Sequence, residues 1–213
     1  MRNYLAAALI VLAALTYGCA DPAANKTKAT VTNAAPESNT AKQADAEKLV
    51  ISPQNSRVEF VAAKVTRSHN GSFKQFAGTI DLVPNSIKSS RVTIDIDTGS
   101  VVTDEDALTA HLKTPDFFDV AKFPKATFVS TKIEPGIKAG TTHQVTGNFD
   151  LHGVKKSITF PATIHMTPES ATVDAEFSIN RKDFGIVYAG KADDLIRDGV
   201  VIKLTLKVPR SKP

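Results

Sequence analysis

The chain has 213 residues, enough for one domain of ordinary size plus tails, and a formal charge of +4 from 26 basic and 22 acidic side chains. The surplus is scattered with no basic stripe, which excludes the usual footprint of a nucleic-acid-binding surface. The single cysteine, Cys19, excludes an intramolecular disulfide framework and any cysteine-based zinc site, and a folded part without thiols suits an oxidising compartment.

Arg2 and the α-amino group place positive charge ahead of the unbroken apolar run from Leu5 to Leu15. At about a dozen residues the run is too short to span a bilayer and has the length of a signal-peptide core. Residues 1–18 are therefore expected to be removed, leaving a net charge of +3 once Arg2 is gone. Thr16-Tyr17-Gly18-Cys19 resembles the bacterial lipobox, which implies a lipidated Cys19 at the mature N-terminus and a membrane as partner. The alternative is an ordinary secretory signal cut after Ala20. With Cys19 modified, Ala20 in the next position points to the outer membrane, facing the periplasm. Residues 19–48 are rich in Ala, Thr, Asn, Lys, Ser and Pro, with Val31 the only large aliphatic side chain. Such a segment buries too little apolar surface to offset its ordering entropy, so a disordered tether is expected. As a flexible coil it would hold the domain on the order of 30 Å from its anchor.

From Leu49 to Pro209, ahead of a short 210–213 tail, the dominant period is two. Less regular runs at Val58–Val65 and Phe73–Leu82 come first, then a clean alternation of Val92, Ile94 and Ile96 with polar neighbours. One helix follows, with Thr103 as its cap, Asp104, Glu105 and Asp106 at its positive end, and Leu108 and Leu112 as an apolar stripe. The strands resume at Ala126–Ile133, Val145–Leu151, Ile158–Ile164, Val173–Ile179 and Val200–Val208. Turn signals separate them: His69-Asn70-Gly71, Pro84-Asn85-Ser86, Pro135-Gly136, His152-Gly153 and Thr167-Pro168-Glu169. This is an all-β chain of about eight antiparallel strands with one short helix between the third and fourth. Pattern alone allows either a sandwich or a barrel.

Three motifs stand out along this domain. The first is Asp116-Phe117-Phe118-Asp119 followed by Phe123-Pro124-Lys125-Ala126-Thr127-Phe128. The second is Val145-Thr146-Gly147-Asn148-Phe149-Asp150-Leu151-His152-Gly153-Val154-Lys155-Lys156, and the third is Ile179-Asn180-Arg181-Lys182-Asp183-Phe184-Gly185-Ile186. In this order and spacing they resemble the YceI-like family of bacterial lipid-binding proteins. The resemblance implies an eight-stranded, up-and-down, lipocalin-like barrel with a long apolar cavity for a polyisoprenoid or quinone-type tail. The inward-facing candidates on the first strands are Phe73, Phe76, Ile80, Ile94, Ile96 and Phe128. Those on the later strands are Phe149, Leu151, Phe160, Phe177 and Ile179. The same side chains could simply fill a solid core, since apolar strand faces are core first. Phe117, Phe118, Arg181 and Phe184 are candidates for the mouth, with Arg181 and Asp183 read as a structural ion pair or loop clamp.

Catalytic and metal-binding patterns are scarce. The histidines His69, His111, His143, His152 and His165 lack the short spacings that pair ligands on one helix or strand face, and read as turn or surface residues. Asp116 and Asp119 read as surface caps around Phe117 and Phe118 rather than as paired catalytic carboxylates. Nucleophile-elbow, phosphate-loop and dinucleotide signatures are missing. The expectation is a non-enzymatic carrier, store or sensor of an apolar lipid, with no cofactor and no metal. Its rivals are a structural or interaction protein of the envelope with a filled barrel, and an enzyme acting on an isoprenoid lipid.

Overall fold

Side-chain alternation decides most of the architecture of this chain. The computed structural model describes residues 20–36, 46–83, 86–136 and 140–210. The apolar leader, Cys19, residues 37–45 of the expected tether, the Pro84-Asn85 turn signal and the 211–213 tail lie outside the described residues. The first strands are β1 (Thr30–Asn33), β2 (Glu47–Ile51), β3 (Ser56–Ala63), β4 (Ser68–Phe73), β5 (Phe76–Leu82), β6 (Arg91–Asp97) and β7 (Val101–Thr103). Helix α1 (Asp106–Leu112) follows, then β8 (Lys125–Pro135), β9 (His143–Leu151), β10 (Val154–Met166) and β11 (Ser170–Asn180). A small ribbon of β12 (Gly190–Lys191) and β13 (Asp194–Leu195) precedes β14 (Gly199–Pro209).

Twelve strands form one sheet in the order β2-β5-β6-β8-β9-β10-β11-β14-β3-β4-β7, with β1 attached to β10. The ladders between named strands are antiparallel. The expected all-β class and the short helix between β6 and β8 are both present. The strand count and the closure are not as expected. The sheet is a strongly curled half-barrel: among the described residues β2 pairs only with β5, β7 only with β4, and no ladder joins these margins. Chain continuity instead ties the β2 margin to β3. β2 runs into β3 through a tight turn in which Asn55 N–H donates to Ser52 O at 3.1 Å and Ser52 N–H to Asn55 Oδ1 at 3.0 Å.

Local departures from strict alternation have identifiable causes. A register shift between Ser130 and Lys132 inserts one residue into β8. Side-chain parity therefore slips, and Ile133 returns to the buried face after Ala126, Phe128 and Ser130. The expected run Phe73–Leu82 breaks at Lys74-Gln75 into the end of β4 and the whole of β5. His69-Asn70-Gly71 is not a turn but the middle of β4. Gly71 leaves room there for the Phe60 ring, which lies over it: a Cβ would stand 2.1 Å from Phe60 Cζ. His152-Gly153 is the expected tight hairpin turn, with φ of 54° and 73°, joining the paired residues Leu151 and Val154. Thr103 is not the helix cap; Glu105 holds that position, and Thr103 Oγ1 braces the helix start by donating to Glu105 O at 2.8 Å.

The tether expectation fails over residues 20–36. β10 pairs with β11 only over Thr163–Met166, and towards its other end the two strands splay apart. Residues 27–33 fill the wedge. β1 pairs antiparallel with Lys156–Thr159 of β10, while Ala29 N–H donates to Ser178 O at 2.8 Å and Ser178 N–H to Thr27 O at 2.9 Å on β11. Ala29 is buried at 3% exposure. Asn148 and Ser178, which alternation points outward, are buried with Ser157. Asn148 exchanges hydrogen bonds with the Ala35 backbone, at 3.0 Å from its N–H and 2.8 Å to its carbonyl. The segment is stabilised by completing backbone ladders, which composition does not register.

Candidate functional site

The two ends of the curled sheet differ in filling. At one end Phe128, Phe160 and Phe177 pack ring on ring, with Phe160 and Phe177 stacked at 4.2 Å and 12°. Ile80 and Ile94 belong to the same apolar core, while Phe76 is buried opposite Ile96, level with the hollow end but not lining its chamber. These six residues, expected to line a cavity, do not do so.

The other end is hollow. An apolar chamber of about 100 Å³ is lined by five of the expected residues, Phe73, Ile96, Phe149, Leu151 and Ile179. The other strand contributors are Phe60, Ala62, Ala126, Val200 and Ile202. Phe117 and Phe118, from the turn after α1, close it together with Leu112, Ile186 and Ile196. The chamber is much shorter than the long cavity expected, because the stacked phenylalanines occupy the far end. Since an apolar cavity of about 150 Å³ holds a benzene, it has room for about one isoprene unit.

Phe60, Ala62, Leu112, Phe117 and Ile196 are shared with a second, outer compartment of about 300 Å³. This antechamber opens among α1, the start of β4 and the β12–β13 ribbon, and it mixes polar with apolar groups. Tyr188 stands edge-on to both His111 and Phe117, with ring centroids 5.3 Å and 5.5 Å apart. His111 Nε2 lies 2.8 Å from Asp116 Oδ2. His69 is buried, and its Nδ1 lies 2.9 Å from Asp104 Oδ1. Partial burial pushes the Asp104 carboxyl up, but the hydrogen bonds from His69 and the Asn70 N–H, with the charges of His69 and Arg67, outweigh it. The net shift is downward. Across the opening Lys64 Nζ donates to Asp194 Oδ2 at 2.7 Å, and this bond, with one from Thr66, holds the Asp194 carboxyl below its usual range. Together the two compartments fall within the lower part of the ~300–1,000 Å³ typical of ligand sites. A more voluminous recess at the filled end, near Leu82, Ile87 and Arg210, is open to solvent among the strand ends.

The mouth candidates divide. Phe117 and Phe118 line the chamber. Phe184 does not; it is fully buried behind the wall, edge-on to Phe149 at 5.2 Å. Arg181 is a clamp, but its acidic partner is Asp198 at 3.2 Å rather than Asp183. Its Nε donates to Arg197 O, Nη1 to Ile186 O, and Nη2 to Ile196 O and Asp198 Oδ1. Four of its five N–H donors are thus committed to tying the 186–198 loop to β11. Burial lowers the Arg181 pKa, and Asp198 opposes that shift. Sequence reasoning missed Phe60, Val200 and Ile202, although all three lie on runs whose alternation pointed inward. It also missed Tyr188 and Ile196, which lie on a loop with no periodic signal. Among the described residues, no group of three or more His, Cys, Asp or Glu side chains could hold a metal ion.

A strongly curled antiparallel sheet around an apolar chamber, flanked by a short helix and a loop ribbon, defines a β-barrel-like domain with a hollow end. The comparisons make the class specific: residues 49–208 match the YceI-like domain, and the chain belongs to that family. It is 36% identical over 122 residues to the YceI proteins of Salmonella arizonae and Salmonella newport, covering 54% of this chain. That alignment spans 62% of those curated relatives' length. Among solved structures it is similar to Burkholderia cenocepacia BcnA, with a TM-score of 0.65, 25% identity, and coverage of 74% of this chain and 98% of that one. A polyisoprenoid binding domain from Saccharophagus degradans shares the fold at a TM-score of 0.60 and 18% identity, covering 78% of this chain and 99% of that one.

Proposed function

We propose that this protein holds the apolar tail of a lipid, a polyisoprenoid or quinone-type molecule, as a carrier, store or sensor in the bacterial cell envelope. The observation that carries the reading is the apolar chamber, which shares five wall residues with a wider, partly polar antechamber. A tail buried in the chamber would contribute about 0.8 kcal/mol per methylene, up to ~4 kcal/mol per isoprene unit before ordering costs. A headgroup would rest among Tyr188, His111 and Lys64. Chamber and antechamber as they stand suit a short tail, and a longer one requires the rings of Phe73, Phe118 and Phe149 to swing aside. The polyisoprenoid-binding description of the Saccharophagus relative supports the same ligand class. Non-enzymatic binding fits a chamber whose wall is apolar apart from the committed Arg181.

Organic extraction of the purified protein followed by mass spectrometry tests the reading. A co-purified isoprenoid, and a melting temperature that rises with isoprenoid length to a plateau, are the expected results. Clean extracts, with a melting temperature indifferent to every lipid tried, would leave a structural envelope protein. That second reading is favoured by one observation, the solid packing of Phe128, Phe160 and Phe177. Export and lipidation of Cys19, with an outer-membrane location facing the periplasm, belong to the same proposal and rest on the leader sequence. Cys19→Ala should abolish lipid labelling and shift the protein to the soluble fraction; unchanged labelling would defeat the lipobox reading.

A further inference from the structure

The geometry points to a lipid-bilayer docking face built around the antechamber opening, with Val65, Val187 and Leu195 as its inserting side chains. Large apolar side chains that are exposed number four among the described residues, and three of them, Val65, Val187 and Leu195, lie on the segments that wall this opening. Val187 is 65% exposed and sits between Ile186, which lines the chamber, and Tyr188, which lines the antechamber. Leu195, at 47%, sits likewise between the antechamber residues Asp194 and Ile196. Val65 is adjacent, its N–H donating to Leu195 O at 3.0 Å. Each flanks an inward residue and takes the outward position, so these side chains crown the opening without filling it.

A second, independent observation concerns where the N-terminal segment enters the fold. The chain before residue 27 runs along the outside of the sheet to the same end. Asp21 Oδ2 lies 3.7 Å from Arg197 Nη1, and Ala23 is packed so closely on Gly199 that a Cβ there would approach it to 2.8 Å. Arg197 and Gly199 directly follow the antechamber residue Ile196. The chain therefore enters the domain beside the opening and not at the filled end, and Cys19, the expected lipid anchor, directly precedes Ala20. The charges at the rim are mixed: Lys64, Arg67 and Lys191 face Glu105, Asp193 and Asp194. Attachment by apolar insertion to a zwitterionic surface fits this balance better than attraction to anionic lipid, and salt would weaken it little. A face of this kind lets a tail pass between bilayer and chamber without crossing water.

The inference rests on the lipid-holding reading, and its test separates the two. In the full chain carrying Cys19→Ala, an environment-sensitive fluorophore is placed at Ala192→Cys on the ribbon tip. A second preparation carries it at Glu169→Cys in the β10–β11 turn of the filled end. With phosphatidylcholine vesicles containing brominated lipid, emission at position 192 should shift to the blue and be quenched, at low and high salt alike. Position 169 should show neither change. Adding Val187→Asp and Leu195→Asp should abolish the signal at 192 while leaving the lipid-dependent rise in melting temperature in place. Equal signals at both sites overturn the docking face. So does a signal that needs anionic lipid, or one that survives the double substitution and so reflects the N-terminal segment alone. A melting temperature that never responds to lipid sinks the lipid-holding reading instead, whatever the fluorophores report.

Discussion

The filled and hollow ends of the half-barrel are built from the same kinds of residue on the same strands, yet they differ in what their phenylalanines touch. Phe128 and Phe160 meet each other, and Phe160 stacks on Phe177, so each ring fills space another ring would otherwise leave empty. Phe73, Phe118 and Phe149 border open volume on one side, although Phe73 also touches Phe60 at 5.8 Å and Phe118 at 5.7 Å. A ring that is packed all round contributes its full burial to stability. A ring that borders a chamber withholds part of it, and that part is available to a ligand.

The largest difference between the ends should come from Phe160→Ala. Loss of a fully packed ring costs about 3–5 kcal/mol, and in urea denaturation the deficit should be the same with and without isoprenoid. Recovery on adding lipid would mean that the chamber reaches this end. Phe149→Ala should cost less, roughly 2–3 kcal/mol without ligand, because one side of the ring already borders a void. Its deficit should shrink when protein is reloaded with an isoprenoid long enough to enter the vacated space. A deficit as large as that of Phe160→Ala and blind to lipid would erase the distinction between the ends.

Gly71→Ala acts on the hollow end from behind. Its Cβ would stand 2.1 Å from Phe60 Cζ, so the ring must turn into the chamber. Because that space is empty, the cost should fall at the lower end of the ~1–3 kcal/mol of overpacking. The plateau in melting temperature should be reached at a shorter tail than in the unsubstituted protein. An unchanged plateau would show that Phe60 does not limit the volume.

The smallest effect concerns the N-terminal segment along the wall. Lys26 Nζ donates to Glu176 Oε2 at 2.8 Å and, against partial burial and with the charges of Lys26 and Lys203, holds that carboxyl below its ordinary 4.5. A depressed folded-state pKa stabilises above the unfolded value and is lost as pH falls through the folded one. Both partners are about a third exposed, so solvent screening keeps the contribution small. Protection from hydrogen exchange at residues 27–33, taken relative to the intrinsic rate at each pH, should fall below the ordinary carboxylate range, and Glu176→Gln should flatten that dependence. Protection equally pH-dependent in both proteins would assign the effect to another group.

Periodicity made the wall legible. Alternation at Val92–Ile96, Val145–Leu151 and Val200–Val208 identified strands with one buried face, and His152-Gly153 identified a hairpin whose φ values few other pairs accept. The same periodicity could not say which inward side chains meet partners and which meet a void. That depends on which rings converge from opposite walls, a property of curvature and of contacts distant in sequence. Arg181 was legible as a clamp, but its partner was not, because Asp198 reaches it only through the return of the 186–198 loop. The seating of residues 27–35 was hidden for a related reason. What orders that segment is the unpaired backbone that β10 and β11 leave where they part and the buried amide of Asn148, none of which is encoded in the apolar content of the segment itself. By itself, then, the sequence determined the all-β class, the strand faces and the family. Only the tertiary structure decided where the sheet stays open, which end is hollow and what lies along its wall, because backbone pairing and ring-on-ring packing are settled between residues far apart in the chain.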